Sequence, residues 1–126
     1  MISPGITFLS KRPSYPTEHL HIVISPIIDG KVLLVNVTSK KFDSDETCVL
    51  CVGDHGFIKH DSVINYGDAI DADILLMEKA ILNQTFKPQS PVSDALLKRI
   101  QEGALKSDAF PPALLKYSNR SGRLYK

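Results

Sequence analysis

Aromatic residues make up only 7% of this chain, with no tryptophan, and cysteine occurs twice among 126 residues. Stability must therefore come from a hydrophobic core and not from staples, and 43% hydrophobic residues supply the material for one domain. An excess of either charge is lacking too. Fifteen basic against fourteen acidic residues leave a formal charge of +1, so no global field announces a nucleic-acid or membrane partner and only a local patch could do so. No run approaches the roughly 20 apolar residues of a membrane span. Residues 1–17 carry prolines where a signal peptide needs its apolar stretch. No membrane association is expected, and the cytoplasm is the expected location.

What is present falls into two parts. Up to about Asp73 the apolar residues come in short Val- and Ile-rich runs separated by turn signals, the pattern of a small β-rich fold. Residues 19–25, 31–39 and 47–52 read as strands, with 62–66 a short fourth. Asp29-Gly30 sits between the first two and predicts a tight antiparallel hairpin, because glycine accepts positive φ. From Ile74 the spacing turns helical. Leu75, Leu76, Lys79 and Leu82 suit one short helix; Ser93 is placed to cap a second, with Leu97, Ile100, Ala104 and Leu105 on one face. Pro111-Pro112 can open a last short helix, and residues 87–91 read as a connector. A single domain of 1–126 follows, with a β core over 5–73, a helical part over 74–117 and a basic tail over 118–126. That tail closes with Arg120, Arg123 and Lys126 after Lys116. It reads as a solvated terminus or as a phosphate-contacting arm.

The polar residues worth weighing cluster between 18 and 73. Cys48-Val49-Leu50-Cys51 has the gap of a zinc hook, with His55 and His60 close behind. On a strand, however, residues three apart face opposite sides, so the two sulfurs diverge and two buried, inert thiols are the expected outcome. No metal or other cofactor is expected. His19 and His21 share one face of their strand and Ser25 continues the row, giving either a proton-transfer surface or the solvated face of an edge strand. Gly53-Asp54-His55-Gly56 is a tight turn in which Asp54 caps its own backbone, or a loop presenting His55 or His60 as acid or base with Lys59 as a phosphate holder. No Ser-His-Asp order, phosphate-cradling loop or dinucleotide fingerprint occurs.

The order of Gly5-Ile6, a loop with Arg12-Pro13, a strand ending Ile22-Val23-Ile24-Ser25, a second ending Val37-Thr38-Ser39, and then Ser62-Val63-Ile64-Asn65-Tyr66 resembles the PemK/MazF family of bacterial toxins over about residues 5–81. The resemblance implies an α+β chain built on a small SH3-like (PemK-like) β-barrel with C-terminal helices. It further implies a homodimer, metal-independent cleavage of single-stranded RNA, and an acidic antitoxin partner in a toxin-antitoxin pair. By position Thr38 matches the family's catalytic threonine, Ser39 its neighbour and Ser25 the serine of the Val-x-Ser ending. Arg12 matches the catalytic arginine in type but stands several residues early, and His19-Leu20 occupies the place where Arg-Pro is expected.

Cutting RNA without metal needs a base for the 2′-hydroxyl, an acid for the leaving 5′-oxygen and positive charge or donors for the phosphorane. The chain offers His19, His21 or His55 as proton carriers, Arg12 or Lys59 as cation, and Thr38 or Ser39 as donors. Tyr15, Phe57 and Tyr66 are the candidate stacking surfaces for bases. The competing expectation is a non-catalytic protein- or nucleic-acid-binding module on the same fold. A nuclease should gather Arg12, Lys40, Lys41 and Lys59 around the histidine face; a protein-binding module should show an apolar patch there.

Overall fold

The computed structural model describes residues 1–11, 17–119 and 123–124. In chain order these form β1 (Thr7–Ser10), β2 (His19–Val23), β3 (Lys31–Ser39), β4 (Val49–Leu50), β5 (Ser62–Ile64), β6 (Ile70–Asp73), α1 (Ile74–Leu82), β7 (Lys87–Gln89) and α2 (Asp94–Lys106). Short 3-10 segments lie at Tyr66–Asp68 and Pro112–Tyr117.

The strand β3 organises the sheet. Its neighbour on one edge is β2, paired His21 with Asn36 and Val23 with Leu34. On the other edge its first half pairs with β6 and its last three residues pair with β5. The hairpin into it turns at Asp29 and Gly30, whose φ values of 51° and 75° are both positive, as the Asp-Gly pair requires. Every described pairing is antiparallel, and the path runs β4-β5-β3-β2-β1-β7 with β6 branching from β3. Among the described residues β4 and β7 end that path without pairing to each other, so the sheet is open and these pairings do not close the expected barrel.

Both faces of the sheet are covered, which is why β3 reads as an almost unbroken apolar run. Leu33, Val35 and Val37 pack toward Leu96, Ile100 and Ala104 of α2 and toward Tyr66, Phe110 and Leu114. Val32 and Leu34 point the other way, into a smaller cluster with Phe8, Val23 and Met77 of α1. Strand alternation thus feeds two cores from one segment. Both helices carry side-chain caps: Asp73 accepts from the amides of Leu75 and Leu76, and Ser93 accepts from Leu96.

Two strands lie where none was expected. Lys87-Pro88-Gln89, read as a connector, pairs with β1 as an edge strand, the place where a proline costs no ladder bond. Ile70–Asp73 alternates apolar and acidic residues and docks on β3. The third expected strand shrinks to Val49–Leu50.

Candidate functional site

A groove of about 680 Å³ opens where the end of β3 meets the approach to β2, the loop 55–60 and the residues that end β7. Strand register explains which side chains reach it. Beyond the His21–Asn36 pair, two residues along each strand in opposite directions, stand His19 and Thr38, and both line the groove. Ser39 pairs with Ser62, so His60, just ahead of Ser62, is carried alongside the end of β3. There the Ser39 hydroxyl and His60 Nε2 are 2.8 Å apart in a hydrogen bond. The backbone repeats the link, with the Lys40 amide donating to the Asp61 carbonyl at 3.1 Å.

The loop is folded by its own backbone. The Asp54 amide donates to the Cys51 carbonyl, Ile58 donates to His55, and Asp54 Oδ2 accepts from the Cys51 amide at 2.8 Å. Gly53 takes φ 104° at the turn. Asp54 therefore caps its own turn, and Arg99 of α2 reaches Oδ1 at 3.6 Å. His55 is buried beneath the loop with both ring nitrogens engaged. Nδ1 accepts from the Phe57 amide at 3.0 Å, which makes Nε2 the protonated nitrogen, and Nε2–H donates to the Ser90 carbonyl at 2.6 Å. This imidazole is a strut joining the loop to the segment after β7.

Of the site residues expected from the sequence, the structure brings His19, Thr38, Ser39, His55 and Lys59 together on one groove. It places three elsewhere. His21 is 5% exposed and stacks on Phe8, its Nδ1–H donating to the His19 carbonyl at 3.0 Å. Ser25 lies beyond the end of β2 and is fully buried, donating to the Pro26 carbonyl and accepting from the Leu33 amide. Tyr66 belongs to the main core, where its hydroxyl donates to the Ile100 carbonyl at 2.7 Å and burial pushes its phenol up. It presents no face for stacking. Arg12 falls outside the described residues, as do Tyr15, Arg120 and Lys126.

Among the described residues the groove carries Lys41 and Lys59 against a single carboxylate, Glu18, which Lys87 holds at 3.0 Å. Lys40 turns instead to Glu46, at 3.6 Å. Phe57 supplies a part-exposed aromatic edge. His60, weighed at the sequence level only as an alternative acid or ligand, is the residue whose importance emerges from the fold. Gln89 and Ser90 had no detectable signal, because an edge strand through Lys-Pro-Gln looks like a connector.

The cysteines do diverge. Only Cys48 is buried as expected, in the main core, where burial pushes its thiol up; Cys51 is exposed, because the strand ends at Leu50 and leaves it outside the sheet. Among the described residues no three His, Cys, Asp or Glu side chains are grouped to hold a metal ion. Among them also, no helix is long and apolar enough to cross a membrane. Comparison of the chain with protein-family models and with curated protein sequences found no match.

Proposed function

We propose that the groove binds single-stranded RNA and cleaves it without a metal ion, as a toxin-type endoribonuclease. The observation that carries this reading is the 2.8 Å contact between Ser39 and His60 on a groove that also holds His19, Thr38, Lys41 and Lys59. Two imidazoles supply the proton carriers that the reaction needs. One takes the proton of the 2′-hydroxyl as that oxygen attacks phosphorus. The other protonates the departing 5′-oxygen, leaving a 2′,3′-cyclic phosphate and a 5′-hydroxyl. The hydroxyls of Ser39 and Thr38 and the two ammonium groups face the charge that develops on the phosphorane oxygens. Phe57 offers a surface for a neighbouring base. The donor set favours proton transfer over metal chemistry, because hard cations are held through carboxylate oxygens and, among the described groove residues, the one carboxylate, Glu18, is paired with Lys87.

The PemK/MazF-like relationship belongs to the same proposal, and with it an SH3-like origin of the sheet, a bacterial cytoplasmic setting and an acidic antitoxin that competes for the groove. Purified protein incubated with single-stranded RNA in EDTA is expected to give fragments ending in cyclic phosphate. Ser39→Ala and His60→Ala should each slow this at least about 100-fold, the low end of what a donor to the developing charge or a positioned acid or base contributes. Binding without cleavage on varied RNAs would assign the groove to a non-catalytic recognition module. Neither binding nor cleavage would end the RNA reading.

A further inference from the structure

The chain has five phenylalanines. Phe8, Phe86 and Phe110 pack in or against the two cores, and Phe57 lines the groove. Phe42 does neither, and its ring stands wholly in water at 103% exposure. A lone exposed apolar residue is ordinary; its place is what distinguishes this one. Phe42 follows Lys41, which lines the groove, so its backbone stands one peptide, about 3.8 Å, beyond a groove residue. The turn that displays it is closed by two reciprocal bonds. The Lys41 amide donates to the Ser44 hydroxyl at 2.7 Å, and the Ser44 amide donates back to the Lys41 carbonyl at 3.2 Å. Lys40 pins the root of the turn beside His60 and Ser62, its amide donating to the Asp61 carbonyl at 3.1 Å and its ammonium meeting Glu46 at 3.6 Å. A ring already held in place costs a ligand little in ordering.

The flanks of the ring say what it receives. Lys41 and Asp43 stand on either side of it in the chain, and both are exposed. An apolar protein surface or a membrane would have to strip water from these charges to reach the ring. A nucleobase covers one face of it with its own π-face and leaves the charges in water. Two further carboxylates of the loop are engaged by the protein, Asp45 by Ser107 and Thr47 and Glu46 by Lys40, while Lys41 is placed to meet a phosphate of a strand that leaves the groove. Given the RNA reading of the groove, on which this rests, we infer that Phe42 is a base-stacking subsite outside the cleavage centre. It receives a base of the same strand as that strand passes out over Lys41. Phe42 is thus a positioning residue and touches no reacting atom. The subsite narrows the substrate to unpaired strands long enough to run from the groove to this turn, because a paired base keeps its faces within its own stack.

Titration of the full chain with single-stranded oligoribonucleotides, from a dinucleotide to a decamer, should show affinity rising in a step once the strand reaches the turn. Phe42→Ala should remove that step, weakening the longer strands at least about fivefold, the low end of one base–aromatic stack, and leaving the dinucleotide unchanged. In cleavage of the decamer the variant should raise KM and keep kcat. Phe42→Tyr should behave as the parent, whereas Phe42→Leu should behave as Phe42→Ala, because it keeps apolar bulk without a π-face. A 2-aminopurine moved along the decamer should change its emission at one position outside the cleaved bond with the parent and not with Phe42→Ala. The melting temperature should stay in place, since the exposed ring leaves no cavity. A parent protein that binds RNA of no length would end the RNA reading and the subsite with it. A parent that binds RNA while Phe42→Ala matches it at every length, or while Phe42→Leu matches Phe42→Tyr, would end the subsite alone.

Discussion

A Cβ placed on Gly103 would lie 2.2 Å from the Tyr66 hydroxyl oxygen and 3.0 Å from its ring carbon Cζ. The helix α2 passes so close to the tyrosine that only hydrogen fits between them. The ring cannot retreat, because its hydroxyl is held by Ile100 and its face meets Phe110 edge-on, with centroids 6.4 Å apart. Alanine at an ordinary helix interior gains up to about 1 kcal/mol over glycine. Here the clash should win, and Gly103→Ala should lower unfolding stability by about 1–3 kcal/mol in urea titration. Adding Tyr66→Phe removes the atom that collides. The double variant should therefore lose less than the sum of the single losses, and strict additivity would show that the two residues do not interact.

Asp45 ties the loop before β4 to the end of α2. Partial burial works against its charge, but hydrogen bonds from the Ser107 hydroxyl and from the Thr47 hydroxyl and amide outweigh this and hold the carboxyl below its ordinary 3.8. A depressed folded value means that the unfolded chain takes up the proton first. The stabilisation is complete above the unfolded value near 3.8 and is lost as pH falls through the lower folded one. Asp45→Asn should thus be less stable than the parent at neutral pH, by up to about 1 kcal/mol for so accessible a site. The gap should close below pH 3.8. A gap that stays constant down to the acid transition would exclude this role.

Asn36 presents the opposite situation. It is 1% exposed in the centre of β3, and neither its amide nitrogen nor its amide oxygen has a hydrogen-bond partner among the described residues. On its face of β3, Leu34 precedes it and Thr38 follows it, and His21 stands across from it on β2. Exchanging the amide for an apolar group of similar size removes an uncompensated desolvation cost. Asn36→Leu should therefore raise stability by about 1–2 kcal/mol. Since Asn36 stands one strand step from Thr38, RNA cleavage by the same variant measures whether the groove depends on the polar group behind it. A destabilised Asn36→Leu would mean that the amide is satisfied in solution.

The elements legible in the sequence were those with a local cause. The run 31–39 declared β3 because burial on both faces leaves no polar alternation, Asp29-Gly30 declared its turn, and Ser93 declared the start of α2. The strands β6 and β7 were not legible, because two aspartates and a proline are tolerated only at positions set by tertiary pairing. The same division holds at the groove. His19 was singled out from its own strand and Thr38 through the family resemblance, whereas the meeting of Ser39 with His60, 21 residues apart, depends on the register of β3 against β5. Composition likewise gave no means of knowing that Tyr66 and Ser25 are spent inside the molecule, since burial is a property of the packed elements and not of the residue.

His55 converts one part of this packing into a measurable handle. Its ring accepts the Phe57 amide and donates to Ser90, so it fixes both the height of the groove loop and the distance of that loop from the segment after β7. His55→Ala leaves the Phe57 amide and the Ser90 carbonyl without this partner, at a cost of about 1–3 kcal/mol if both stay shielded from water. Local opening is the cheaper response, because the loop joins the main core through Ile58 and its other ties, Ser39 to His60 and Arg99 to Asp54, lie near the surface. Hydrogen exchange should therefore accelerate at Phe57 and its neighbours while the amides of β3 and α2 keep their protection. If the groove cleaves RNA, the variant should raise KM more than it lowers kcat, since the strut shapes the binding surface and takes no part in proton transfer. Exchange that quickens equally across the sheet would instead make His55 a determinant of global stability.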